Sequence, residues 1–329
     1  ALNGGVDKLT GKQVGAATLD PATFTSIEDV INAYLDQVRF FMGKLTTIYN
    51  IVDVLDEQWL PQPFLSALLD GCIEHGEDCR TYKYFPLTIM QPLGQVTVYN
   101  SLAAIKKLVF DDKKVSMAEL VDALKNNWER KEELRQMCLA APKFGNDDDY
   151  VDLLARDVAL RTTQTIRSFK NIYGGCFMED GTGASSYFAY SGLTGATPDG
   201  RKDRDLFNDG TISRTGSSDL KGPTAILRSV AKIDHARTFT QLFNQKFPPQ
   251  FLSDEYKEQF AAYLRTFVDL GIHHVQFNVI DKQTLVEAQK HPEQYKDLVV
   301  RVAGFSAYFI DLEKSLQDHI IARTEQGFY

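Results

Sequence analysis

The chain has 329 residues, 43% hydrophobic and 24% charged, with a formal net charge of −8. That length and balance suit a soluble globular protein with a large core and one to three domains. The acidic surplus argues against nucleic acid or an anionic membrane as a main partner, and no apolar run is long enough to span a bilayer.

Residues 1–20 read as a connection rich in Gly, Thr and Asp. Ser26 is a candidate cap for a long, mostly buried helix or pair of helices from Ile27 to about Trp59, in which Val30, Ile31, Tyr34, Leu35 and Val38 recur at helical spacing. Pro61-Gln62-Pro63 ends it, and Phe64 to about His75 is expected to form a second helix. Residues 80–98, rich in Pro, Tyr and apolar groups, read as an irregular segment able to line a cavity. Further helices are expected at Ser101–Val109 and Met117–Leu139, and from the cap Asp147-Asp148-Asp149 through about Ile172. Residues 174–222, dense in Gly, Thr, Ser and Asp, read as a long loop region. Helices follow at Gly222–Lys232 and Ser253–Leu270. Two strands, His274–Ile280 and Leu298–Val302, flank a helix at Lys282–Lys290 that Pro292 ends, which is βαβ order. A last helix is expected at Ser315–Thr324.

Four cysteines, Cys72, Cys79, Cys138 and Cys176, have neither CxxC nor zinc spacing and read as free thiols of a reducing cytoplasm. The six histidines include no HExxH pair, so no metal site is expected. His273-His274 could be read as a proton relay, although a satisfied structural histidine is the commoner case.

The most informative stretch is Arg301-Val302-Ala303-Gly304-Phe305-Ser306-Ala307-Tyr308-Phe309, a single glycine between two apolar strand-like runs. Glycine lets the backbone turn sharply and approach a partner closely. Other segments stand in a telling order: the run Asn100 to Phe110, Ala141-Pro142-Lys143-Phe144-Gly145-Asn146-Asp147-Asp148, Thr197-Pro198-Asp199-Gly200-Arg201, Gly222-Pro223-Thr224-Ala225 with Ser229-Val230-Ala231-Lys232, Phe243-Asn244-Gln245-Lys246-Phe247, and Val275-Gln276-Phe277-Asn278-Val279.

Together these segments resemble the glycyl radical enzyme family (pyruvate formate-lyase-like), from near residue 1 to Tyr329. The resemblance implies an α/β fold, half of a ten-stranded α/β barrel with surrounding helices and the glycine loop inserted into the barrel. It implies two portions, a helix-rich barrel half over 1–270 and a glycyl radical domain over 271–329. Gly304 would carry the radical, with no permanently bound cofactor, after a radical-SAM [4Fe-4S] activating enzyme removes one hydrogen. Arg301, Phe305 and Ser306 would support the loop; Phe305 stands where many relatives have Tyr.

The family also uses a cysteine. Gly71-Cys72-Ile73-Glu74 looks like its signature, but Cys72 lies within the expected helix and too near Gly304 in sequence. The family spacing places the cysteine before Ala1. The chain is therefore expected to be a piece of a longer polypeptide or half of a split enzyme. It would need a cysteine-loop-bearing N-terminal portion or subunit, within an oligomer. Tyr84, Ile89, Met90, Gln276 and Asn278 are candidate pocket residues for a small organic substrate. The apolar character of residues 81–92 favours addition of an apolar C–H substrate to fumarate. The alternatives are an arylacetate decarboxylase, a C–O, C–N or C–S lyase or dehydratase, and a spare-part repair subunit.

Overall fold

The computed structural model describes residues 1–82, 87–181, 186–208, 212–213, 221–237, 240–302 and 304–322. Helix α1 runs over Ile27–Trp59. Asp29 reaches back to its start and accepts from the Ser26 N–H at 3.0 Å, satisfying a donor that the helix itself leaves unpaired. The expected helix Phe64–His75 is two pieces, α2 (Pro63–Leu68) and α3 (Cys72–His75). Gly71 separates them in a left-handed conformation (φ +90°) against the Tyr82 ring.

Strand β1 (Thr88–Met90) lies within the segment expected to be irregular. Helix α4 (Gln95–Ile105) starts earlier than expected and ends in a π-helical turn at Lys106–Asp111. The expected helix Met117–Leu139 divides into α5 (Met117–Lys125) and α6 (Glu132–Ala140). Between them Asn127, Trp128 and Arg130 take positive φ, and the buried Trp128 donates its indole N–H to the Arg201 carbonyl at 3.0 Å. Helix α7 (Asp149–Arg167) is capped by the Asp148 carboxylate, which accepts from Tyr150 N–H at 3.0 Å.

The region expected to be loop contains β2 (Phe177–Gly181) and α8 (Ser186–Ser191). Then follow α9 (Gly222–Ala231), β3 (Thr240–Gln241), β4 (Asn244–Phe247) and α10 (Lys257–Asp269). The C-terminal part comprises β5 (Gln276–Val279), α11 (Lys282–Lys290), β6 (Val299–Arg301), β7 (Ser306–Tyr308) and α12 (Lys314–Ala322).

Strands β1, β2 and β3 form one parallel sheet, and β4 pairs in parallel with β5. Only Leu242 and Phe243 separate β3 from β4, so the two sheets continue one another as an open parallel arc. Helices α1, α4 and α7 pack together, and α7 also packs on β2. The main core gathers Val96, Leu102, Phe144, Val151 and Val158 with Phe243 and Phe247. A second core joins Tyr187 and Leu242 to Ile280, Leu285, Val300, Val302, Phe309 and Ile320.

The βαβ reading of β5–α11–β6 does not hold as a ladder. β6 pairs antiparallel with β7, with Val300 opposite Ala307, because the tight turn that follows β6 returns the chain beside it. The β5–β4 pairing crosses the expected boundary at residues 270/271. Among the described residues no helix is long and apolar enough to cross a membrane.

Candidate active site: the glycine hairpin

Val302 donates its N–H to the Phe305 carbonyl at 2.9 Å and closes the β6–β7 hairpin, leaving Gly304 at its tip. Gly304 has φ +80°, a backbone conformation costly for any residue with a Cβ. A Cβ built there meets no described heavy atom within 4 Å beyond its chain neighbours. The valines on either side of Arg301, Val300 and Val302, are buried in the second core, whereas Gly304 is exposed and Phe305 is 39% exposed. The hairpin is thus fastened at its base and presents its tip.

Arg301 is the centre of the fastening. Its Nε donates to Gln276 Oε1 at 2.9 Å and its Nη1 donates to Ser306 Oγ at 3.2 Å. Asn278 Nδ2 donates to the Arg301 carbonyl at 2.7 Å, and the Arg301 N–H donates to Asn278 Oδ1 at 3.4 Å. One side-chain amide therefore meets both main-chain groups of Arg301 and does the work of a missing ladder between β5 and β6. Gln276 in turn donates to Asn244 Oδ1 on β4. The register puts Asn244 opposite Gln276 and Lys246 opposite Asn278, so the face carrying the hairpin is lined by polar side chains. Lys246 is only 2% exposed.

His274 precedes β5, and its Nδ1 accepts the Phe243 N–H at 3.3 Å, a structural use. Burial, with a smaller part from the Arg301 charge, lowers its pKa below the usual 6.5. The His273 ring lies tilted at 47° to that of His235, with centroids 5.5 Å apart.

Of the candidate pocket residues, Gln276 and Asn278 sit under the hairpin as supports for Arg301. Ile89 and Met90 point to opposite faces of β1 by strand alternation. Met90 packs against Met42, Ile166 and Phe177 on the helix side, while Ile89 stays exposed. Tyr84 lies outside the described residues. The supporting part played by Asn244 is not apparent from its own segment; only the β4–β5 register reveals it. Cys72 is buried, at 2% exposure, at the start of α3. Among the described residues no cluster of three or more His, Cys, Asp or Glu could hold a metal ion.

A second arginine-anchored glycine turn lies at Thr197–Arg201. Arg201, 8% exposed, donates from Nε to Thr197 Oγ1 at 3.2 Å and from Nη2 to the Thr194 carbonyl at 3.1 Å. It also donates to the Gly195 and Asp205 carbonyls and stacks over Phe207.

Two family models match the chain: residues 1–191 match "Pyruvate formate lyase-like" and residues 209–310 match "Glycine radical". The chain belongs to the pyruvate formate lyase-like family of glycyl radical enzymes. Trans-4-hydroxy-L-proline dehydratase of Clostridioides difficile is 36% identical over 330 residues, covering 99% of this chain and 42% of that protein. Its solved structure, with substrate bound, superposes at a TM-score of 0.95. Isethionate sulfite-lyase of Nitratidesulfovibrio vulgaris is 39% identical over 332 residues, 98% of this chain and 40% of that one. The B12-independent glycerol dehydratase of Clostridium butyricum, in its glycerol-bound form, superposes at 0.94 with 39% identity, over 99% of this chain and 42% of that one. The expected α/β barrel-type architecture is therefore that of the matched structures, of which the chain spans about 42% of the length. By name these relatives are dehydratases and a sulfite-lyase, which favours the elimination alternative over fumarate addition.

Proposed function

We propose that this chain is the radical-bearing C-terminal part of a glycyl radical lyase or dehydratase, with Gly304 as the radical site. The observation that carries the reading is the hairpin tip: a glycine with an unhindered Cα, held by Arg301 against Gln276, Asn278 and Ser306. A radical-SAM activase would remove one hydrogen atom from the Gly304 Cα. A cysteine thiol outside this chain would then return a hydrogen atom to that carbon. The S–H bond breaks, the C–H bond forms, and a thiyl radical results.

The thiyl abstracts hydrogen from a substrate C–H bond and becomes a thiol again. The substrate radical expels a neighbouring group, which with a proton leaves as water or an analogous small molecule. The product radical takes a hydrogen atom from the thiol, and the regenerated thiyl can restore the glycyl radical. The protein contributes orientation and exclusion of solvent and oxygen. The surface that meets Gly304 would belong to the cysteine-bearing portion, and reaction would be confined to anaerobic conditions.

A polar substrate fits better than a hydrocarbon. The strand face beside the hairpin carries Asn244, Lys246, Gln276 and Asn278, and polar groups that converge on a site set ligand chemistry. The test is anaerobic reconstitution of this chain with a cysteine-bearing portion and an activase, read by EPR. A glycyl doublet, followed by release of water or another small leaving group from a hydroxylated or sulfonated substrate, supports the proposal. A doublet with turnover only of a hydrocarbon plus fumarate would restore the addition chemistry. Rescue only of an oxygen-cleaved relative would mean a repair subunit. No doublet under conditions that activate an intact relative would refute the radical assignment.

A further inference from the structure

A buried carboxyl that this chemistry does not use sits where the strand arc meets the helix layer. Glu179 on β2 is 3% exposed. The register sets Met90 opposite Glu179 and Gln241 opposite Gly181, so Glu179 and Gln241 share one sheet face, the face turned to α7. Both line a cavity of about 100 Å³, with Tyr34 of α1, Gln95 of α4, and Thr162 and Thr163 of α7 among its other walls. That is room for about three waters, and too little for an ordinary organic substrate.

Among the described lining residues Glu179 is the charged one. Its Oε2 accepts from the Thr163 hydroxyl, leaving Oε1 for a further partner. Gln241 is 2% exposed, and its Oε1 has no hydrogen-bond partner among the described residues. A buried amide oxygen in that state is costly and calls for an explanation. Burial pushes the Glu179 carboxyl up to about 7, opposed by the Thr163 hydrogen bond and by Arg167. Arg167, one helical turn beyond Thr163, donates instead to the Arg237 carbonyl. The described lining of the chamber holds no cationic side chain beside this carboxyl.

We propose that this chamber is a monovalent-cation site, in which the Glu179 carboxylate, Gln241 Oε1 and the Thr162 hydroxyl hold one alkali-metal or ammonium ion with water in the remaining volume. A single carboxylate among neutral oxygens balances one positive charge. Calcium and magnesium sites gather more anionic oxygen, and softer metals seek thiolates and imidazoles, which the described lining lacks. The ion would tie β2 and β3 to α1 and α7 from the side of the sheet away from the glycine hairpin's polar wall. It is independent of the radical chemistry.

The test is thermal unfolding of the full chain at pH 8 in KCl, NaCl, NH4Cl and choline chloride at equal ionic strength. At a hundredfold excess over the dissociation constant, a bound ion raises Tm by on the order of 2–4 °C over choline. Glu179→Gln should erase that difference. Gln241→Leu, which keeps the charge, should require about tenfold more salt for the same effect. Crystals soaked in rubidium chloride should show an anomalous peak in the chamber, a readout that stands even if Glu179→Gln does not fold. Equal Tm values in choline and alkali salts, a cation effect that survives Glu179→Gln, or no rubidium peak would each overturn the proposal in favour of a protonated carboxyl among waters.

Discussion

Two glycine turns in this chain are each anchored by an arginine, and they use glycine for different reasons. Gly200 (φ +98°) precedes Arg201, and a Cβ there would lie 2.6 Å from Leu139 Cγ and 3.3 Å from Leu139 N. Gly304 (φ +80°) follows Arg301, and a Cβ there would meet no described atom within 4 Å. The first arginine is buried and reaches mainly main-chain carbonyls of its own loop. The second is half-buried and is held by side chains of a neighbouring strand. Packing demands glycine at 200. At 304 this chain's own packing makes no such demand, which leaves the backbone conformation and, in the proposed chemistry, the Cα–H bond itself.

Gly304→Ala gives the sharpest break between the two turns. It should abolish the EPR doublet in the reconstituted enzyme while costing only about 1–2 kcal/mol for the left-handed backbone. A retained doublet would remove Gly304 from the mechanism. Gly200→Ala should do the reverse. Overpacking against Leu139, added to the backbone strain, predicts a loss of about 2–4 kcal/mol in urea unfolding. The yield of radical per folded molecule should stay unchanged. Similar stability losses at the two positions would dissolve the distinction.

The same division explains what the sequence discloses. Elements set by local signals are legible: α11 falls on Lys282–Lys290 because Asp281 caps it, accepting from Thr284 N–H at 2.7 Å, and Pro292 follows. Elements that distant partners reshape are not. The periodic run Met117–Leu139 breaks because Trp128 leaves the helix to donate to Arg201, 73 residues away in sequence. Phe64–His75 breaks because Gly71 turns against Tyr82. At the site, alternation places Gln276 and Asn278 on one face, but their use as props for Arg301 depends on the return of β6, which pairs with β7 and not with β5. Periodicity is blind to that pairing. Gly304 itself is legible through motif order, not through any physical signal of a lone glycine.

Arg301→Lys tests whether the second turn is held by geometry or by charge alone. An ammonium keeps the charge but cannot span Gln276 and Ser306 as the guanidinium fork does. One lost hydrogen bond is worth about 1 kcal/mol. Exchange of the Val302 amide, which donates to the Phe305 carbonyl, should therefore quicken by roughly fivefold, with global stability little changed. Unaltered exchange would mean that the Asn278 amide and the buried valines suffice to hold the hairpin.

The smallest effect concerns His274, which fastens the start of β5 to Phe243, the residue before β4. Its folded pKa lies below the unfolded 6.5, so the unfolded chain binds this proton more readily. The stability it contributes is complete above pH 6.5 and is lost as pH falls through the depressed folded value. Protonation also removes the Nδ1 acceptor that receives the Phe243 N–H. His274→Asn keeps an acceptor near that point and does not titrate. Between pH 7.5 and 5.5, the wild-type urea midpoint should fall further than that of His274→Asn. The Glu179 titration, which runs the other way because its folded pKa is raised, is common to both chains and drops out of the difference. Parallel midpoints across that range would show that the imidazole stays solvated enough to protonate without disturbing β4.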